Sequence, residues 1–163
     1  QEESSYRMSS SFASVNLEKE YGYVVFVAIG FWILQFLFMI PIAIMRNKTG
    51  IKAPTLYPTD KQITNLKLSP ETVDTYLRIQ RVHQNHMEFL VMYFPILLLA
   101  GLYDAKHTAI AGAVTFLGRV VTALGYYYNA SARGIGGWFH IPELYTVYLA
   151  GMFGYTLIQS ISA

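Results

Sequence analysis

RIQRVHQNHMEFLVMYFP, residues 78–95, begins in charged and amide side chains and ends in apolar ones. Wound at about 100° per residue, it places Arg78, Arg81, Asn85, Glu88 and Met92 within one arc about 80° wide. The stretch therefore reads as a helix that carries a cation, an amide and a carboxylate on one face as it enters an apolar zone. Each ionised group deep in a span costs about 2.5–3.5 kcal/mol on insertion scales. Groups maintained against that cost either serve a site or pair with one another.

The rest of the 163-residue chain supplies the apolar zone. It is 53% hydrophobic and 15% aromatic, and only 13% of it is charged, about half the share of an ordinary globular domain. The run from Tyr21 to Met45 holds no charge and exceeds the about 20 residues that cross a bilayer. Similar runs follow at about 75–102, 108–129 and 141–160. A polar tail over 1–20 precedes a membrane domain over 21–163, and the start at Gln1 rather than Met is read as an upstream part either removed by processing or lying outside this sequence. The expected fold is all-α, an integral membrane antiparallel four-helix bundle. Pro41 is expected to kink the first span. Tyr103–His107 is expected as a tight turn and Ala130–His140 as a polar loop. Gly112, Gly118 and Gly125 mark the third span for close backbone approach.

A net charge of +2 with scattered positives gives no footprint for nucleic acid. With no cysteine in the chain, any sulfur chemistry must arrive with a ligand. His83 and His86 stand without a third histidine nearby, so no metal site is expected. In the third span Arg119 is too deep to reach water easily, and Glu88 is its expected partner if no anion serves it. A ligand suited to several guanidiniums, one carboxylate and an amide is a short peptide with two carboxylates and one ammonium. Arginines fork onto the carboxylates, Glu88 takes the ammonium and Asn85 meets a peptide group. A thiol on that peptide would be drawn toward thiolate by a nearby donor.

The run Arg81-Val82-His83-Gln84-Asn85-His86-Met87-Glu88 resembles the R-x-H-x-N-x-x-E signature of the MAPEG proteins, membrane-associated proteins in eicosanoid and glutathione metabolism. Pro54-Thr55-Leu56-Tyr57-Pro58-Thr59-Asp60, Gly118-Arg119-Val120 and Gly125-Tyr126-Tyr127 are most similar to the type 3 microsomal glutathione S-transferases of that family. The resemblance implies a homotrimer that binds glutathione between neighbours and admits lipophilic small-molecule substrates from the lipid. By position, Arg81, His83, Asn85, Glu88 and Tyr126 would bind glutathione. Arg133 would stabilise the thiolate, with Arg46 a second candidate nearby. The implied activity is glutathione transfer to lipophilic electrophiles or reduction of lipid hydroperoxides, in an endoplasmic reticulum or mitochondrial membrane. The alternative is a catalytically weak accessory subunit of a larger membrane complex. Thr122 stands where the family often places a tyrosine, so weak turnover is expected, and Thr122→Tyr should raise thiolate formation.

Lys and Arg concentrate in the first and third connections, and only Arg7, Lys19 and Lys106 lie on the other side. By the positive-inside tendency both connections share one membrane face and the termini the opposite one. A cysteine introduced by Lys61→Cys should therefore be labelled from the side opposite the amino terminus, and labelling from the same side would overturn this orientation.

Overall fold

Helix α1 (Tyr21–Thr49) runs without interruption through Pro41, and Gly50 ends it at φ 75, with its N–H on the Arg46 carbonyl at 2.9 Å. That left-handed cap is where the absence of a side chain matters. The structure, a computed structural model, describes residues 17–162, excepting the side chains of Arg133, Ile161 and Ser162. The polar tail expected over 1–20 thus lies mostly outside the described residues. The first connection contains a short helix, α2 (Asp60–Asn65), started by a capping box between Thr59 and Gln62. Helix α3 (Pro70–Tyr103) starts where Ser69 accepts from the Thr72 N–H at 3.2 Å and Pro70 presets the first turn.

Asp104 alone separates α3 from α4 (Ala105–Tyr128), so the expected five-residue turn is a single residue. Its carboxylate accepts the His107 N–H at 3.0 Å and meets the His107 ring at 2.8 Å, which caps α4 without a longer loop. The expected polar loop over Ala130–His140 is instead a 3-10 segment, Ala130–Phe139, leading directly into α5 (His140–Ser162). Asn129 starts it by accepting from the Ser131 N–H at 3.0 Å.

The chain is an all-helical membrane bundle. Helices α3 and α4 form its middle, with α1 and α5 each packed on both of them. Helices α1, α3 and α4 are long and apolar enough to cross a membrane. Helix α5 has 23 residues and carries Tyr145, Tyr148, Tyr155 and Gln159 on an otherwise largely apolar sequence. Lipid is as apolar as leucine, so helix association here rests on close packing and interhelical hydrogen bonds. Phe31, fully buried, meets the rings of His86, Phe89, Tyr93 and Phe116 at centroid distances of 5.6–6.1 Å. The Tyr93 hydroxyl reaches Thr146 at 3.2 Å and Thr115 at 3.5 Å, joining α3, α4 and α5 in the dry interior.

Of the three glycines of α4, Gly125 alone meets other backbone closely, whereas Gly112 and Gly118 admit side chains, and two of the three meet the segment that follows α4. A methyl group at Gly112 would meet Val27 and Leu97 of neighbouring helices. One at Gly118 would occupy the Phe139 ring, and one at Gly125 would lie 2.6 Å from the Ala132 carbonyl oxygen. The 3-10 segment therefore folds back along α4, Ala132 over Gly125 and Phe139 over Gly118. Gly118→Ala should lower stability by about 1–3 kcal/mol through overpacking, seen as a lower Tm in detergent. Gly151→Ala, where a methyl meets nothing within 4 Å, should leave Tm unchanged or raised.

Candidate functional site

Arg119 sits on the α4 face that looks toward α3. Its Nη2 donates to the Asn85 carbonyl at 3.0 Å and to the Asn85 side-chain oxygen at 2.7 Å. The guanidinium carbon lies 4.5 Å from the centre of the Phe89 ring. Two charge-assisted hydrogen bonds are worth about 1.5–3 kcal/mol each, and a desolvated cation–π contact about 2 more. Together they offset the insertion cost of the charge. The expected pairing of Arg119 with Glu88 does not form. Asn85 lies one turn nearer to Arg119, whereas Glu88 turns outward and takes Arg81 at 3.2 Å, its side chain 60% exposed.

Arg78, on the same helical arc, is also committed. It bonds Asp74 at 2.9 Å and donates to the Tyr127 and Tyr128 carbonyls, where α4 ends with unpaired acceptors. The two faces of the opening stretch thus separate into a strut, Arg78, and an open part around Arg81 and Asn85.

That open part is one wall of a cavity of about 300 Å³. Helix α3 contributes Arg81 and Asn85; α4 contributes Arg119, Thr122 and Tyr126. The 3-10 segment closes it with Gly134, Gly136, Gly137 and Phe139, and α5 adds His140 and Glu143. Its lining carries two guanidiniums, one carboxylate, an imidazole, an amide, a hydroxyl and a phenol. The Arg119 Nε and the Glu143 Oε1 are buried there with no hydrogen-bond partner among the described residues. Unpaired buried polar atoms are costly, and a polar ligand is one way to satisfy them.

Of the residues singled out from sequence, Arg81, Asn85 and Tyr126 meet at this cavity. His83 is half-buried on a different face of α3, its Nδ1 buried without a partner among the described residues. Glu88 lies outside the cavity, on its Arg81 pair. Arg46 is in the last turn of α1, from which it donates to the Thr55 carbonyl of the first connection at 2.7 Å and lies 5.9 Å over the Tyr76 ring. Arg133 belongs to the 3-10 segment that roofs the cavity, and its side chain is outside the described residues. Among the described residues no cluster of three His, Asp or Glu could hold a metal.

Glu143 was not singled out from sequence. It follows Pro142 in the first turn of α5, where an acid also serves as an ordinary helix-start charge, and only the fold brings it opposite Arg119. Thr122 also reads differently in three dimensions. A methyl group at Gly136 would run into the Thr122 hydroxyl and the Phe139 ring, so the 3-10 segment lies on the place a longer side chain would fill. Thr122→Tyr cannot simply restore a phenol; it must displace the roof.

A second, apolar crevice of about 280 Å³ lies between α3 and α5, lined by Phe89, Met92, Tyr93, Ile96, Leu144 and Val147, and also by Glu143. Glu143 is therefore shared by the polar cavity and the apolar crevice.

Comparison with known proteins matches this chain over 64 residues, at 41% identity, to an uncharacterized protein of Synechocystis, sll1147. The match covers 39% of this chain and 47% of that protein, so the chain spans about half the length of the curated relative it matches. The model of the MAPEG family matches residues 24–158, a stretch that takes in all four long helices and the cavity. The chain belongs to the MAPEG family.

Proposed function

We propose that this protein is a membrane-bound glutathione transferase or glutathione peroxidase acting on lipophilic electrophiles or lipid hydroperoxides. The observation that carries the reading is the charge pattern of the polar cavity: Arg81 and Arg119 against Glu143, with Asn85 and Tyr126 beside them. Glutathione carries two carboxylates and one ammonium, the complement of two guanidiniums and one carboxylate. A cavity of about 300 Å³ falls at the small end of ligand sites, suited to a tripeptide rather than to a lipid. Family membership supports glutathione as the co-substrate.

In this reading the arginines fix the carboxylates, Asn85 meets a peptide group and Tyr126 a polar end. His83 and Glu88 belong to the set by family position, and in a homotrimer they would be available to a neighbouring subunit. Arg133, on the roof, would stabilise the thiolate, and Arg46 would hold the first connection near the site. The lipophilic substrate would enter the crevice between α3 and α5 from the lipid. Attack then forms a carbon–sulfur bond with an electrophile. With a hydroperoxide it forms a sulfur–oxygen bond as the O–O bond breaks. The organelle would be the endoplasmic reticulum or a mitochondrion.

A second reading has one observation in its favour. Thr122 occupies the position of an expected phenol, and Gly136 packs directly upon it. A site short of one donor typically loses about 10²–10³ in rate, so a catalytically weak accessory subunit of a larger membrane complex is the alternative.

Calorimetry in detergent should show glutathione binding, weakened about 10–100-fold in Arg81→Ala by loss of a charge-assisted contact. The Tm of that variant should hardly move, since the exposed Arg81–Glu88 pair contributes at most about 1 kcal/mol. Equal affinity in parent and variant would overturn the assignment of the cavity. Asn85→Leu should behave differently, lowering stability by about 1–3 kcal/mol because the buried Arg119 loses its side-chain acceptor and keeps only the backbone carbonyl at position 85. An unchanged Tm in Asn85→Leu would show that Arg119 has another partner.

A further inference from the structure

His140 and Glu143 stand three residues apart across the first turn of α5, and the His140 Nδ1 lies 2.7 Å from the Glu143 Oε2. Donation of the Nδ1 proton to that carboxylate fixes the tautomer and leaves the Nε2 lone pair available. Both residues line the polar cavity, and Glu143 alone of the two also lines the apolar crevice. The seam between the two spaces is where a ligand thiol and a lipophilic acceptor can meet. Facing this pair are Arg119 and Tyr126 from α4, Arg81 from α3 across the cavity, and the Tyr93 hydroxyl beside the crevice.

We infer that His140, held by Glu143, is the base that takes the thiol proton of the bound peptide, with Glu143 as its positioning residue. This rests on the reading of the polar cavity as a thiol-peptide site. It names what that site otherwise lacks: Arg81 and Arg119 can attract a thiolate but cannot accept its proton, and Thr122 supplies only a short hydroxyl. A nucleophile, a base within reach and a third group orienting the base form a general arrangement for activating a weak nucleophile. Here the nucleophile arrives with the ligand, as a chain without cysteine requires.

The step balances. The S–H bond breaks, its proton goes to the His140 Nε2, and the sulfur keeps the electron pair. With a hydroperoxide, sulfur attacks the terminal oxygen, the O–O bond breaks, and the departing alkoxide takes the proton back from Nε2. The products are an alcohol and a sulfenic acid, and a second glutathione condenses with the latter to give disulfide and water. With an activated alkene, the carbon–sulfur bond forms and the proton returns to the adjacent carbanion. The imidazole ends each cycle neutral.

The test measures ultraviolet thiolate absorption and calorimetric affinity on the full-length protein in detergent, with glutathione and with S-methyl glutathione as a blank. The parent should show thiolate absorption with glutathione alone. His140→Gln should lose most of that absorption and about 10²-fold in kcat, with affinity for glutathione kept within about twofold. Added imidazole should restore part of the rate to His140→Gly, and Glu143→Gln should lie between parent and His140→Gln. A pair that serves only to start α5 would instead lower Tm while leaving thiolate and kcat alone. Thiolate absorption in His140→Gln equal to the parent's would overturn the inference, as would a parent that binds glutathione without forming thiolate. A parent that binds no glutathione would overturn the reading of the cavity and this inference with it, and calorimetry reports that result separately.

Discussion

The guanidinium of Arg119 is the constraint on which this bundle depends. It lies inside a helix apolar enough to cross a membrane, where an unpaired charge is not tolerated. The backbone carbonyl and side-chain oxygen of Asn85 hold it, and the Phe89 ring covers it. This fixes α3 and α4 in rotation and height relative to each other, which packing among apolar faces alone would specify weakly. Once that register is set, Arg81 and Tyr126 face the same space. Arg78 reinforces the register from outside by holding the last carbonyls of α4.

The second consequence is the roof. Gly118 and Gly125 let the 3-10 segment lie directly on α4, and Gly136 lets it rest on Thr122. The polar face of α4 around Arg119 and Thr122 is thereby covered by the chain's own 3-10 segment. The same folding-back delivers His140 and Glu143 to the cavity, because α5 begins where the segment ends. Residues that brace the helices, such as Arg119 and Asn85, thus also line the polar cavity, whose wall is its brace.

Much of the fold was legible in the sequence because hydropathy and caps act locally. The uncharged run from Tyr21, the Ser69-Pro70 start and the glycines of α4 each carry their meaning within a few residues. The site was legible only where one helix face carried it. Arg81 and Asn85 share an arc of α3 that any helical projection reveals. The partner of Arg119 was misread because two acceptors, Asn85 and Glu88, sit one turn apart, and only helix height chooses between them. The 3-10 segment was read as a polar loop because its glycines look like loop punctuation, while the seat that Gly136 gives Thr122 and Phe139 is tertiary. Glu143 looked like an ordinary acid at a helix start, and nothing nearby in sequence points to its place opposite Arg119.

The central claim is that a thiol tripeptide occupies the cavity bounded by α3, α4, the 3-10 segment and α5. An electron cryomicroscopy map of the protein in lipid nanodiscs, saturated with glutathione, tests it most directly. The account predicts ligand density between Arg81 and Arg119, with the sulfur toward the seam that Glu143 shares with the apolar crevice. Density for glutathione elsewhere, or a cavity filled by side chains in the saturated protein, would contradict it.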